Sequence, residues 1–213
     1  WLLFFMGAMV GLVMARDLVL IFIFWDLTAI ASFFLIGYDR QHREARSAAL
    51  MALLTTGISA LTFLVAILLI YRETGAFQLD GALRLMPAGE DATAAGILIS
   101  IAAFAKSAQV PLHFWLPRAM AAPTPVSAYL HSAAMVAAGV FLMSRFHPIL
   151  TLSQGVLDLL LVVGFASMAV GGTIAVTRDR LKQLVAYSTI SQYGYVVVLL
   201  GIGTEHAAVA ACF

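Results

Sequence analysis

The feature that most limits what this chain can fold into is a succession of apolar runs, each close in length to a membrane-crossing helix. Residues 18–38, 51–71 and 156–176 are the clearest of them, and each approaches the roughly 20 residues that cross about 30 Å of hydrocarbon as an α-helix. Composition agrees: 62% of the chain is hydrophobic and only 11% is charged, whereas soluble domains carry about a quarter charged residues. Water is therefore not the main solvent. In lipid, only helices or closed barrels satisfy their own backbone groups, and these continuous runs lack the alternation of barrel strands. The fold class expected is all-α, a polytopic transmembrane helix bundle.

Polar breaks divide the sequence into about seven crossings, at residues 1–15, 18–38, 47–71, 93–117, 126–146, 153–177 and 181–203. Successive crossings alternate sides. The loops carrying Arg40, Arg43 and Arg46, then Arg118, then Arg178, Arg180 and Lys182 therefore share one face. The opposite face holds Arg16, Arg72, Arg84 and Arg145 beside Asp80, Glu90 and Asp91. The richer basic set is expected on the cytoplasmic side. The longest connection, residues 72–92, then lies outside, and its Gly75, Gly81, Pro87 and Gly89 predict turns and at most a short surface helix.

A secretory signal does not explain the start, because residues 1–15 have no basic n-region or small-residue cleavage site. The sequence opens on Trp1 and stops at Phe213 within a further apolar stretch, so the expectation is a fragment with both ends cut. The net charge of +1 gives no reason to expect a nucleic-acid partner, and a single cysteine, Cys212, excludes an internal disulfide.

Lys106 is the most informative residue, because it falls well inside an apolar stretch. A centrally placed lysine costs roughly 3 kcal/mol on insertion scales, so it normally faces an interior cavity, a partner charge or water. A lysine taken out of water also changes protonation readily, as a proton carrier must. Pro111 follows five residues later, and Pro117, Pro123 and Pro125 repeat the interruption, so a helix broken around Pro111 is predicted. Freed backbone groups in a membrane must be met by protein or water; Ser107, Gln109 and His113 could help.

Asp26 is the second buried charge, and Lys106 is its natural partner, since its own helix offers no basic residue within reach. His131 lies about a turn inside the fifth crossing, and imidazole both accepts and donates a proton near neutral pH. Asp26, Lys106 and His131 could form a relay. The plainer readings are a hydrated membrane face for Asp26, a structural ion pair for Lys106, and a hydrogen-bonded packing role for His131. Lys182 begins the last crossing and reads equally well as a snorkelling anchor. His113 beside Trp115 reads as an interfacial anchor, and Arg16 with Asp17 as a solvated turn. Trp25, Trp115 and Tyr187 mark interfaces or packing, while Gly171, Gly172, Ala133, Ala134, Ala137 and Ala138 allow close helix approach.

The sequence contains no paired-cysteine metal motif, no phosphate-cradling glycine loop and no histidine pair at helical spacing. No cofactor or metal and no catalytic centre of the chain's own are expected, and any electron transfer belongs to another subunit.

The stretch AKSAQVPLHFWLPRAMAAPTPVSAYLHSAAMV, residues 105–136, closely resembles the signature of antiporter-like subunits shared by respiratory complex I, Mrp cation/proton antiporters and membrane-bound hydrogenases. LKQLVAYSTISQYGY at 181–195 and FWDLTAIASFFLIGY at 24–38 resemble two further segments of that family. The resemblance implies a bundle of about fourteen helices built from two inverted five-helix repeats, each with a broken helix. Residues 1–213 would hold the first repeat and the start of the second. It also implies roles: Asp26 for the acidic partner, Lys106 for the pumping lysine, His131 for the connecting histidine and Lys182 for the lysine of the DLK segment. Two positions depart from the pattern, Asp26 where the family usually has Glu and Arg180 where DLK has Asp.

The function this implies is a proton-translocating membrane subunit of a multisubunit Na+/proton antiporter. The alternative is a proton-pumping subunit of complex I or a related hydrogenase, a translocase only as part of a redox complex. A membrane scaffold that kept the fold and lost transport is a third reading. The expected partners are other membrane subunits, protons, Na+ and the lipid bilayer, in a bacterial cell membrane.

Overall fold

In hydrocarbon a helix is favoured because each backbone N–H finds its acceptor one turn away, and the computed structural model describes almost the whole chain in that form. It describes residues 1–39 and 41–212, with the side chains of residues 131–133 and 212 outside the described set. The helices are α1 (Leu2–Met14), α2 (Leu18–Ile36), α3 (Arg43–Thr74), α4 (Leu79–Leu85), α5 (Glu90–Lys106), α6 (Trp115–Ala119), α7 (Thr124–Ala128), α8 (Met135–Arg145), α9 (His147–Leu150), α10 (Gln154–Val176), α11 (Leu181–Gly201) and α12 (Glu205–Cys212). A 3-10 turn, Leu112–Phe114, precedes α6, and a π-helical turn, Tyr129–Ala134, joins α7 to α8.

The all-α expectation holds, and each of the seven predicted crossings falls on helix. Four of them, α2, α3, α10 and α11, are long and apolar enough to cross a membrane unaided. The others are α1, which has 13 residues, the broken α5–α6 segment, and the helix from α7 through the π turn to α8. The predicted fourth crossing ends early as regular helix, because α5 stops at Lys106 rather than running to Pro117.

The two ends of the bundle sort as the charge pattern predicted. Arg43, Glu44, Arg118, Arg180 and Lys182 line one cavity of about 1090 Å³. At the other end, Asp17 caps α2 by accepting from the Val19 and Leu20 amides at 2.9 and 3.2 Å. Asp17 is thus a cap rather than only part of a solvated turn. An isolated antiparallel bridge ties this corner to the α3–α4 connection, through Leu18 N to Phe77 O and Leu79 N to Arg16 O, both 2.8 Å. Arg72 bonds Asp91, and the Arg145 guanidinium donates to the Val13 carbonyl at 2.8 Å. The long connection contains α4, whose Leu79 and Ala82 are buried.

Along the first two-thirds of α3, small residues mark the inward face. Ala45, Ala48, Ala49, Ala52, Ser59 and Ala60 are buried there, with Phe63, Ile67 and Ile70 buried further along, while Leu50, Leu54, Ile58, Leu61 and Leu68 point outward. Lipid is as apolar as leucine, so close packing rather than hydrophobicity selects the interior. The α10–α11 pair shows this most strongly. A Cβ on Gly171 would lie 2.8 Å from Ser191 N and 2.9 Å from Tyr187 O, and one on Gly194 would lie 2.9 Å from Gly164 O. Gly172 has more room, with Ser191 Oγ at 3.6 Å its nearest neighbour.

Gly171→Val is expected to destabilise the protein by about 1–3 kcal/mol, since the new side chain meets backbone that cannot yield; a thermal unfolding series in detergent reads this, with Gly7→Ala as control because a Cβ at Gly7 would stand in open space. In a Cys212→Ser background, single cysteines at the exposed positions Glu44 and Glu90 should label from opposite sides of the membrane.

Candidate functional site

The break after α5 begins as a helix C-terminus. Ser107 N donates to Ala103 O and Gln109 N to Phe104 O, both at 2.8 Å, with Ala108 between them in the left-handed region at φ 50°. This six-to-one closure is the usual way of ending a helix, although Gly more often takes the left-handed position. Pro111 then lacks a backbone donor, follows a cis peptide bond, and stands at the start of the 3-10 turn.

Neighbouring elements take up the groups the break leaves over. The Trp115 indole on α6 donates to the Ala105 carbonyl at 2.8 Å. Ser107 Oγ donates to the Val136 carbonyl on α8 at 2.7 Å, and Ser167 Oγ on α10 accepts from Val110 N at 2.9 Å. Gly139 lets α8 come this close, because a Cβ there would collide with Ser107 Oγ and the Ala103 carbonyl. The break is thus held by α6, α8 and α10 together.

Lys106 is the last residue of α5 and is fully buried. Its place in the last turn suits a cation, since the carbonyl end of a helix carries partial negative charge. The side chain crosses to α2, where Nζ donates to the Trp25 carbonyl at 2.7 Å and to Thr28 Oγ1 at 2.5 Å. Nζ also lies 3.8 Å from the centroid of the Trp25 ring, a cation–π contact in a desolvated setting. The ring is fixed in turn by Phe63 at 5.7 Å between centroids. Trp25 and Trp115 are both fully buried, so they pack in the interior rather than at an interface, and the Trp115 indole is hydrogen-bonded there.

Asp26 is half-buried on the same turn of α2. No ion pair or hydrogen bond joins the two among the described residues. The side chain of His131 lies outside the described set, while its backbone belongs to the π-helical turn. Lys182, half-buried at the start of α11, donates from Nζ to the Ala122 carbonyl at 3.0 Å and lines the basic cavity. It is not brought into contact with Lys106 or Asp26.

Trp25 Nε1, Gln109 Oε1 and His113 Nδ1 are buried without a partner among the described residues. The Gln109 amide nitrogen donates to Ser107 O at 2.9 Å, leaving only its oxygen unmet. His113 lines the basic cavity beside Arg118 and Lys182. Polar atoms of this kind suit bound water. No cluster of metal-ligating side chains occurs among the described residues. Thr28 and Ser167 are site residues that sequence reasoning missed. Each is one small hydroxyl in an apolar helix, where bonding to the helix's own backbone is the ordinary expectation.

Known proteins match the chain along almost its whole length. Residues 15–213 match the family model described as NADH:quinone oxidoreductase/Mrp antiporter, TM. A relative from Rhizobium meliloti (strain 1021), whose name makes it a probable component of a K(+)/H(+) antiporter, is 45% identical over 212 residues, which are 98% of this chain and 21% of the relative. A chain of the Mrp complex from Dietzia sp. DQ12-45-1b superposes with a TM-score of 0.92 at 42% identity, covering 98% of this chain and 23% of that one. A chain of the membrane-bound sulfane sulfur reductase, an archaeal respiratory membrane complex, superposes with a TM-score of 0.81 at 26% identity, covering 98% and 45%. The chain thus spans roughly a fifth of the length of the curated relative, 21%.

Ser167→Ala leaves the Val110 N–H without its acceptor, and a loss of about 1–3 kcal/mol is expected. Unfolding of the purified assembly measured against the unsubstituted protein checks this.

Proposed function

This chain belongs to the NADH:quinone oxidoreductase/Mrp antiporter transmembrane family, and we propose that it is the proton-conducting part of a membrane subunit in a multisubunit monovalent cation/proton antiporter. The observation that carries the reading is Lys106, a lysine buried at a helix break and held by neutral groups rather than in an ion pair. A structural ion pair would seat the ammonium on a carboxylate. Here Asp26 lies on the same turn of α2 as the groups that hold the ammonium without bonding to it, so a movement of either side chain would change how strongly the carboxylate biases the charge. A nearby carboxylate favours the ammonium, and its withdrawal favours proton release.

In this scheme Lys106 takes up and releases the proton while Asp26 sets the balance. His131, on the π-helical turn, passes the proton onward. The unpartnered Gln109 Oε1 and His113 Nδ1 provide places for water between the basic cavity and Lys106. Lys182 anchors α11 at that face and supplies the lysine of the second repeat's opening segment. Helices α1 to α8 make up the first repeat, α10 and α11 begin the second, and other membrane subunits complete the complex in the bacterial cell membrane. Na+ is the coupled ion of the leading reading, and K+ stands beside it because a relative bears that ion in its name.

A second reading, a pump subunit of a respiratory complex, is favoured by the match to the archaeal respiratory membrane complex. Everted vesicles containing the intact complex separate the two. Proton movement driven by added Na+ or K+ without an electron donor supports the antiporter, whereas movement that needs NADH or another donor supports the redox pump.

Lys106→Ala is expected to reduce proton movement to background in either case while the complex still assembles. Lys106→Arg should fail as well, because guanidinium keeps the charge and does not release its proton. Full activity in Lys106→Arg would mean that charge alone is needed and that no proton passes through this side chain.

A further inference from the structure

Helix α2 offers Lys106 two side chains that could hold it, Asp26 and Thr28, and the ammonium sits on the hydroxyl. The two positions are about 200° apart around the helix, so a lysine bonded to one is turned away from the other. Thr28 is fully buried and Asp26 half-buried.

The hydrogen bonds around Nζ have a direction. Thr28 Oγ1 donates its own proton to the Trp25 carbonyl at 2.7 Å, which leaves an oxygen lone pair to accept from Lys106. The Trp25 carbonyl also accepts from Nζ, and the face of the Trp25 ring meets it at 3.8 Å. Carbonyl and ring face only accept, so both serve the ammonium and neither can donate to the lone pair of a neutral amine. A hydroxyl both donates and accepts. When Lys106 loses its proton, rotation of the Thr28 hydroxyl away from the Trp25 carbonyl turns it into a donor to the amine.

We propose that Thr28 is a positioning residue for proton exchange at Lys106, holding the side-chain nitrogen against α2 in both its protonated and its neutral state. The proposal rests on the reading of Lys106 as the proton carrier. The Trp25 carbonyl can accept an N–H in either state, but Thr28 is the member of the cage, among the described residues, that can also donate to the lone pair of the neutral amine. The proton balance is simple: the ammonium gives one proton to water or the next carrier, and the hydroxyl reorients without gaining or losing its own.

Among the described residues no charged side chain bonds Lys106, and Asp26 is the charged residue that α2 carries. Of the elements packed on α5, α3 carries its charges at its ends, Arg43, Glu44 and Arg46 at one and Arg72 with Glu73 at the other. α8 carries only Arg145 in its last turn, α10 only Asp158 near its start, α9 has His147 and the 3-10 turn has His113.

The test is the pH profile of cation-driven proton movement in everted vesicles with the assembled complex, comparing Thr28→Val, Thr28→Ala and Thr28→Ser with the unsubstituted protein. Val keeps the shape of Thr and removes the hydroxyl. Losing an acceptor of the charged form should move the profile toward lower pH by about one unit, with the maximal rate falling roughly tenfold, while Ser retains the original profile. A purely structural role would lower the amount of complex, or the rate equally at every pH, and either result overturns the proposal. Failure of both Val and Ala variants to assemble also overturns it. Lys106→Ala in the same vesicles keeps the two ideas apart. If that variant is inactive and Thr28→Val keeps the original profile, only the role of Thr28 falls; if Lys106→Ala stays active, the proton-carrier reading falls first.

Discussion

A helix can be broken inside hydrocarbon only if something else bonds the backbone groups that the break sets loose, and much of this structure is arranged around that demand. Five residues, 107 to 111, depart from the regular ladder between α5 and the 3-10 turn. Their polar groups and those beside them are taken up by the indole of Trp115, by Ser167 on α10 and by the Val136 carbonyl on α8. Each unmet group would cost several kcal/mol in lipid. The break therefore depends on three other helices being in place, and it links the α10–α11 pair to the rest of the bundle. Gly139 belongs to the same arrangement, since a side chain there would push α8 away from the break.

The break in turn makes a buried lysine tolerable. Lys106 ends α5, where the unpaired carbonyl end of the helix favours a cation, and a carbonyl, a hydroxyl and an indole face on α2 surround its nitrogen. The site also lies at the seam between two apolar clusters. Ala103 and Phe104, just before Lys106, belong to one with Trp25 and Phe63, and Ala108 and Trp115, just after, belong to the other with Leu116 and Leu130.

The cage is neutral: Thr28 and the Trp25 carbonyl and ring hold the nitrogen, and Asp26 on the same helix makes no bond to it. In the proposed scheme this separates holding the lysine from biasing its charge, two tasks that a direct carboxylate bond would combine. At one end of the bundle, the basic cavity lined by Arg43, Arg118, Arg180 and Lys182 is bounded by the segment after the break, where His113 sits. The same segment thus borders both the buried lysine and a charged, accessible face.

Much of this was legible in the sequence. Apolar runs of membrane-crossing length called for helices, Lys106 and the prolines after it called for a broken one, and the alternation of basic loops sorted Arg43, Arg118 and Lys182 to one face. These readings rest on properties a residue carries anywhere along the chain: the cost of burying charge, the missing donor of proline, the length needed to cross lipid. Other features depended on the packed bundle. No spacing rule pairs Thr28 with Lys106 or Ser167 with Val110, because each pair joins distant parts of the chain and a lone hydroxyl in an apolar helix usually bonds its own backbone. Nor could hydropathy pick the inward face of α3, where inside and outside are equally apolar and only the fit of Ala48, Ala52 and Ala60 against their neighbours tells them apart. Hydropathy and a lysine followed by prolines already require a helical membrane bundle with a buried lysine at a break; which groups receive that lysine is settled by packing, because hydrogen bonds require atoms about 3 Å apart and only the packed bundle brings them there.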